Sequence, residues 1–81
     1  MRIDKFLKVS RLIKRRTVAN EACEQGRVKI NDKVAKPGTE VKVGDIITIQ
    51  FGDKSVKAEV LNISEHVPKG DATGLYRIIE N

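Results

Sequence analysis

The residues of this 81-residue sequence that could do chemistry are mostly cations, and they are concentrated at its start. Residues 1–20 contain seven of the 16 lysines and arginines but only one of the 11 acids, Asp4. Residues 21–81 contain nine basic and ten acidic side chains, so the net charge of +5 arises entirely in the first quarter of the chain. Segregated positive charge marks a surface that attracts a polyanion, whereas evenly spread charge would only favour solubility.

The spacing of these cations suits a phosphate backbone. Steps of three residues keep Arg2, Lys5, Lys8 and Arg11 near one side of a helix. Each cation that neutralises a phosphate releases counterions, and an arginine can grip two phosphate oxygens or a phosphate and a base edge. This chemistry suits irregularly folded RNA.

A purely solvated helix face is the alternative, and it stays open for Lys5 and Lys8. Cations crowded at the junction between two helices repel one another, so a bound anion is favoured there; they are Arg11, Arg15 and Arg16. Lys14, which begins the basic triplet, is a further candidate RNA-binding residue.

Asp4 is the one acid within the basic block. On a helical wheel it falls on the solvent side with the lysines, in the first turn, where a carboxylate complements the helix dipole. We predict an intramolecular role, in which Asp4 caps that turn or orients a nearby arginine. Direct contact with RNA is the less favoured alternative.

The sequence does not indicate a catalytic site or a metal site. Cys23 lies on the apolar stripe of a predicted helix, where a packed thiol is favoured over a nucleophile, and His66 is the sole histidine. One cysteine and one histidine cannot form a structural zinc site, and no glycine pattern matches a phosphate-binding loop. We predict no enzyme activity, no cofactor and no metal.

The size and composition of the chain limit the remaining possibilities. A single cysteine excludes an intramolecular disulfide and fits a reducing compartment, so we expect a cytoplasmic protein. We also expect a monomer. No apolar run approaches the ~20 residues that span a membrane, and an apolar face of Ile3, Phe6 and Leu7 is too small for interfacial anchoring. We therefore expect no membrane partner.

The periodicity of the sequence predicts a small α+β domain. Apolar residues at helical spacing predict a helix over 3–13 and a second from Arg15 or Arg16 to Gln25, whose buried stripe is Val18, Ala19, Ala22 and Cys23 and whose cap is Gly26. Alternating residues then predict a hairpin around Asn31-Asp32, in which Val28, Ile30 and Val34 alternate with charged residues. Further elements follow in order: a strand at Ile46–Phe51, a turn at Gly52–Lys54, a strand at Ser55–Ile63, a loop at Pro68–Gly74 and a strand at Leu75–Glu80.

With the elements placed, several residues match a known pattern. The sequence resembles the S4 RNA-binding domain family through Arg2-x-Asp4-x-x-Leu7, Arg11, Arg16, Ala19, Gly26-x-Val28-x-Ile30-Asn31, Val34 and Val43-x-Asp45-x-Ile47. The resemblance implies an S4-like (αL motif) fold, with two N-terminal helices on a small bent antiparallel sheet. It implies one S4-type domain over 1–81, with its core motif at about 2–50 and C-terminal strands at about 55–80. It further implies that RNA is faced by Arg2, Lys5, Arg11, Arg15, Arg16 and Arg27.

This sequence departs from the family where the second helix begins. Many members have Ser or Thr before the second arginine, whereas this chain has Arg15. The usual N-cap of the second helix is therefore lost or moved, and another cation is gained.

The run from Met1 to Thr17 is similar to the RqcP family of quality-control proteins, relatives of the small heat-shock S4-domain proteins. That resemblance implies binding to large-subunit ribosomal RNA and peptidyl-tRNA on a stalled large subunit. There such a protein supports an RqcH-like tailing factor, which adds a C-terminal alanine tail to the nascent chain. Two alternatives stay open: a general large-subunit and tRNA rescue factor of the heat-shock S4 type, or the RNA-targeting domain of a separate RNA-modifying enzyme.

Overall fold

Two helices pack on a five-stranded antiparallel sheet in a computed structural model that describes residues 1–64 and 72–79. The strand order is β2-β1-β3-β4-β5. This arrangement confirms the predicted α+β, S4-like class. His66 and most of the predicted loop Pro68–Gly74 lie outside the described residues. The elements are α1 (Ile3–Val9), α2 (Arg16–Glu24), β1 (Val28–Ile30), β2 (Lys33–Val34), β3 (Ile46–Phe51), β4 (Lys54–Val60), a short 3-10 helix (Ala72–Leu75) and β5 (Tyr76–Ile79).

Helix α1 ends at Val9, so the predicted extension to residue 13 is wrong. Arg11 takes a left-handed backbone conformation, with φ of 65°, and this turns the chain out of the helix. The Ile13 N–H then donates to the Leu7 carbonyl at 3.0 Å, which brings the Ile13 side chain into the core. The Ser10 hydroxyl is also buried and donates to the Leu7 carbonyl at 3.2 Å.

Helix α2 begins at Arg16, after Arg15 has served as an N-cap that makes no side-chain hydrogen bond. The expected loss of the Ser or Thr cap is therefore confirmed. The helix ends at Glu24, and Gly26, two residues later, has a φ of 74° and donates its N–H to the Cys23 carbonyl at 3.0 Å. The predicted burial of Val18 is wrong: its exposed fraction is 47%, because the helix buries only a narrow stripe around Ala19 and Cys23.

Two tight hairpins fix the register of the sheet. Asn31 and Asp32 have φ of 51° and 69°, the conformation that a two-residue hairpin turn requires, so this predicted turn is confirmed. The Asn31 amide also donates to Asp45 at 3.1 Å, which ties the hairpin to the start of β3. At the second hairpin, Phe51 pairs with Lys54 across the Gly52-Asp53 turn.

Strand β3 has its predicted bounds, whereas β4 ends at Val60 and not at Ile63. After Val60 the chain leaves the β3 ladder, and the Leu61 N–H donates to the Leu75 carbonyl at 2.9 Å. Val34 and Ile78 are both about half exposed, because they lie on the outermost strands β2 and β5.

The segment at residues 36–41 holds the start of α1 against the rest of the protein. The Ile3 N–H donates to the Thr39 carbonyl at 2.8 Å, and the Asp4 N–H donates to the Pro37 carbonyl at 3.3 Å. These backbone acceptors replace a side-chain N-cap, which α1 lacks. Ile3, Phe6 and Leu7 are fully buried in the core that α1 shares with α2 and the sheet. No helix in the described parts of the chain is long and apolar enough to cross a membrane.

Candidate RNA-binding site

Asp4 is buried between the two helices, and its predicted position on the solvent side of α1 is wrong. The helical wheel assumed that only one side of α1 is covered. In the structure Ile3, Asp4, Phe6 and Leu7 are all buried, because Asn20 and Arg16 of α2 contact the Asp4 carboxylate and the 36–41 segment accepts the N–H groups of Ile3 and Asp4. The carboxylate therefore points at α2 while its backbone lies in the first turn of α1.

Four groups surround the Asp4 carboxylate. The Oδ2 atom accepts hydrogen bonds from Arg2 Nη2 at 3.2 Å and from Asn20 Nδ2 at 3.4 Å. The Oδ1 atom accepts from the Lys5 backbone N–H at 2.8 Å and forms an ion pair with Arg16 Nη2 at 3.5 Å. We refer to Asp4, Arg2, Arg16 and Asn20 as the Asp4 cluster. A carboxylate has about four acceptor positions, and three hydrogen bonds and one ion pair satisfy Asp4.

The charge state of Asp4 follows from these contacts. Burial alone would raise the pKa of Asp4, but the Asn20 hydrogen bond, the Arg16 and Arg2 guanidiniums and the Lys5 N–H together hold that pKa below its ordinary value of 3.8. Asp4 is therefore ionised at neutral pH, and its negative charge fixes two positive side chains from different parts of the chain.

Arg2 and Arg16 keep most of their binding capacity after they contact Asp4. Their side chains are 51% and 48% exposed, whereas that of Asp4 is 2% exposed. A guanidinium carries five N–H donors, and each arginine has only one nitrogen against the carboxylate. The remaining donors can bind phosphate oxygens while Asp4 holds one terminal nitrogen of each guanidinium in place. An open cleft lies beside them, lined by Asp4, Arg16, Thr17, Asn20 and Glu21.

The other predicted cations are spread more widely. Those at the end of α1 and in the junction are exposed, and they are Lys8, Arg11, Lys14 and Arg15. Lys5 is half-buried. Arg27 is exposed beyond the C-terminal end of α2, so a nine-residue helix, roughly 12 Å long, separates it from Arg16. The structure thus brings together Arg2 and Arg16 but not Arg27, and the RNA contacts of all these residues stay predictions.

Asn20 belongs to the site although the sequence analysis did not single it out. It lies four residues after Arg16 in α2, so the two side chains share one face of the helix and both reach Asp4. That spacing was the available signal, but it becomes informative only when Asp4 is known to face α2.

Cys23 is buried in the core, which confirms its predicted packed position. Burial, with the negative charges of Asp4 and Glu24, raises the pKa of Cys23 to about 11. A thiol with this pKa is a poor nucleophile at neutral pH. Among the described residues, no group of three or more His, Cys, Asp or Glu side chains is placed to hold a metal ion.

Known proteins share this sequence and this fold. The S4 domain matches residues 1–47 of the chain. The "RQC P-site tRNA stabilizing factor" of Halalkalibacterium halodurans is 59% identical over 78 residues, which cover 96% of this chain and 89% of that protein. The protein of the same name from Listeria monocytogenes is 55% identical over 80 residues, covering 99% of this chain and 87% of that protein.

A solved structure shows the same architecture. The trimeric structure of Heat Shock Protein 15 from Vibrio cholerae superimposes with a TM-score of 0.88 at 32% identity, covering 98% of this chain and 81% of that one. The domain match and these relatives agree with the two-helix face and the sheet described above. This chain belongs to the S4-domain family, among the RQC P-site tRNA stabilizing factors.

Proposed function

We propose that this protein is a non-enzymatic, cytoplasmic RNA-binding factor of ribosome-associated quality control. It binds the large ribosomal subunit that carries peptidyl-tRNA, and it acts as a monomer that contacts ribosomal RNA and tRNA through the α1–α2 face. By keeping the tRNA in place it supports an RqcH-like factor that adds alanine to the stalled nascent chain. The names of the curated relatives support the tRNA-stabilising part of this proposal.

One structural observation carries the proposal: the Asp4 cluster holds two half-exposed arginines from α1 and α2 at a single place. A flexible cation binds any polyanion, but an arginine whose guanidinium is held at one terminal nitrogen presents its remaining donors in a fixed direction. Fixed donors suit a folded RNA, whose phosphates also have fixed positions. The location of the positive charge in residues 1–20 adds long-range attraction toward the same face.

Sucrose-gradient sedimentation of the tagged protein from lysate tests this function. We expect the protein to migrate with the large subunit and to leave it when puromycin releases the nascent chains. Arg16→Ala should shift most of the protein to the top of the gradient without lowering its melting temperature by more than a few degrees. Arg77→Ala is the matched control, because Arg77 also pairs with a single carboxylate, Glu59, but lies on β5.

Each other outcome changes the proposal in a defined way. Binding to the large subunit that ignores puromycin would point to a general ribosomal factor. Protein at the top of the gradient under all conditions would contradict ribosome binding. A large fall in melting temperature for Arg16→Ala would mean that Arg16 serves the fold.

Alanine tailing needs its own measurement. In cells without the gene, the alanine-tailed form of a stalled reporter should be lost. It should return with the wild-type chain but not with Arg16→Ala.

A second candidate function is a general rescue factor for large subunits that carry tRNA, of the heat-shock S4 type. It is favoured by the close superposition on Heat Shock Protein 15. The two functions differ in their need for the tailing factor: a general rescue factor stays on the subunit when that factor is deleted and leaves alanine tailing unchanged when it is itself removed.

A further inference from the structure

Asn20 has hydrogen-bonding groups that the Asp4 cluster does not use. Its Nδ2 atom donates one hydrogen to Asp4 at 3.4 Å, whereas its second N–H and its Oδ1 atom form no hydrogen bond with any group of residues 1–64 and 72–79. Asn20 is half-buried and lines the open cleft beside Arg16. A donor and an acceptor on one planar amide therefore lie next to the half-exposed guanidinium of Arg16.

The ionised carboxylate of Asp4 decides which way this amide faces. An amide can in general be turned so that its oxygen and nitrogen exchange places. A carboxylate offers only acceptors, so the Asn20 nitrogen must face Asp4 and the oxygen must face away from it. Asp4 thus orients Asn20 as it orients Arg2 and Arg16, and the amide has a single defined presentation.

We propose that Asn20 reads the edge of an unpaired RNA base in this cleft, while Arg16 holds the phosphate beside that base. This inference rests on the proposed function and adds a source of specificity to it. An asparagine amide can pair with a base edge that offers one donor and one acceptor side by side. The α1–α2 face is then more than an electrostatic surface, because it distinguishes nucleotides as well as binding phosphates.

The affinity for purified large subunits carrying peptidyl-tRNA, measured over a range of salt concentrations, tests the proposal. For Asn20→Ala we expect about a 5- to 100-fold loss of affinity, the range of a bidentate base contact. The slope of affinity against salt should not change, because no phosphate contact is lost. Arg16→Ala should lower that slope by about one phosphate contact. Retention of Asn20→Ala on heparin, a polyanion without bases, should equal that of the wild type.

Two further variants guard against a trivial explanation. Asn62→Ala removes an exposed amide outside the cleft and should bind as the wild type does. Asn20→Gln keeps an amide but moves it by one methylene, so it should bind more weakly than the wild type while its melting temperature is retained. Unchanged binding of Asn20→Ala would overturn the proposal, and so would a lowered salt slope, since Asn20 would then act only through the arginines. If Arg16→Ala also bound normally, the proposed function itself would fail.

Discussion

The two-helix region and the β3–β5 part of the sheet each contain a left-handed backbone position and an acid–arginine pair, but they place different residues there. In the sheet, Gly52 supplies the left-handed conformation of a hairpin turn, and the pair Glu59 and Arg77 lies in solvent. In the helical region, Arg11 takes a left-handed conformation that favours glycine, and the carboxylate of Asp4 is buried. In the sheet, each residue type therefore suits its backbone conformation and its exposure to water. In the helical region, Arg11 and Asp4 occupy a conformation and a buried position that are unfavourable for their residue types.

This difference indicates that the helical region serves function and that the strands β3–β5 serve stability. Features that are costly for stability persist when the surrounding structure holds them and when they serve a function. The helical region combines a strained backbone, a buried charge and two helices without side-chain N-caps, and it carries the cations. The strands β3–β5 form a regular ladder that supports this face.

The largest effect on stability should come from removing the buried charge. Asp4→Ala leaves Arg2, Arg16 and Asn20 without their shared acceptor, and the loss of a buried hydrogen-bonded group costs about 1–3 kcal/mol. An N-terminal charge effect alone would cost only about 0.3–1 kcal/mol. Urea unfolding at neutral pH measures the difference, and an unchanged midpoint would mean that the contacts around Asp4 contribute nothing to folding.

Acid unfolding provides the control for this prediction. Asp4 has a folded-state pKa below its unfolded value, so its stabilising contribution is complete above the unfolded pKa and is lost as the pH falls through the folded pKa. The difference in unfolding free energy between the wild type and Asp4→Asn should therefore shrink as the pH falls below about 4. A difference that stays constant down to the lowest pH would contradict the ionised state of Asp4.

A smaller effect, of opposite sign, should come from Arg11→Gly. A left-handed conformation costs an ordinary residue about 1–2 kcal/mol, whereas glycine loses about 0.5–1 kcal/mol through chain entropy. The variant should therefore be about 0.5–1 kcal/mol more stable than the wild type and should bind RNA more weakly. Arg11→Ala is the matched control, because it removes the cation but keeps the strain. If Arg11→Gly lowered the melting temperature, the left-handed conformation of Arg11 would not be a source of strain, and the helical region would not differ from the sheet in this respect.

The sequence predicted those parts of the fold that local chemistry decides. Asn31-Asp32 and Gly26 are residues that tolerate a left-handed backbone, and both stand where the chain turns. Strand β3 was predicted at its observed bounds because β-branched residues fill it between two turn signals. The family resemblance then gave the packing of the helices on the sheet, which periodicity alone does not determine.

The parts that could not be predicted depend on contacts between distant residues. Asp4 and Asn20 are 16 residues apart, and their hydrogen bond exists only because α1 packs against α2. A helical wheel treats α1 in isolation, so it placed Asp4 with the solvent-exposed lysines. The end of α1 was missed for a related reason: an arginine at position 11 argues locally against the left-handed turn that the structure contains.

The smallest effect should come from the ion pair of the sheet. Arg77 is 66% exposed, and an exposed pair contributes about 0–1 kcal/mol because water screens the charges and the side chains lose freedom. Arg77→Ala should thus change the unfolding free energy by less than about 0.5 kcal/mol and leave RNA binding intact, as judged by urea unfolding and salt-dependent affinity.

Both arginines of the Asp4 cluster are exposed to a similar extent, so exposure of the cation does not separate the two sites. What separates them is the partner: Glu59 retains contact with water, whereas Asp4 does not. A loss for Arg77→Ala as large as that for Asp4→Ala would show that burial of the acid is not what makes the helical site different.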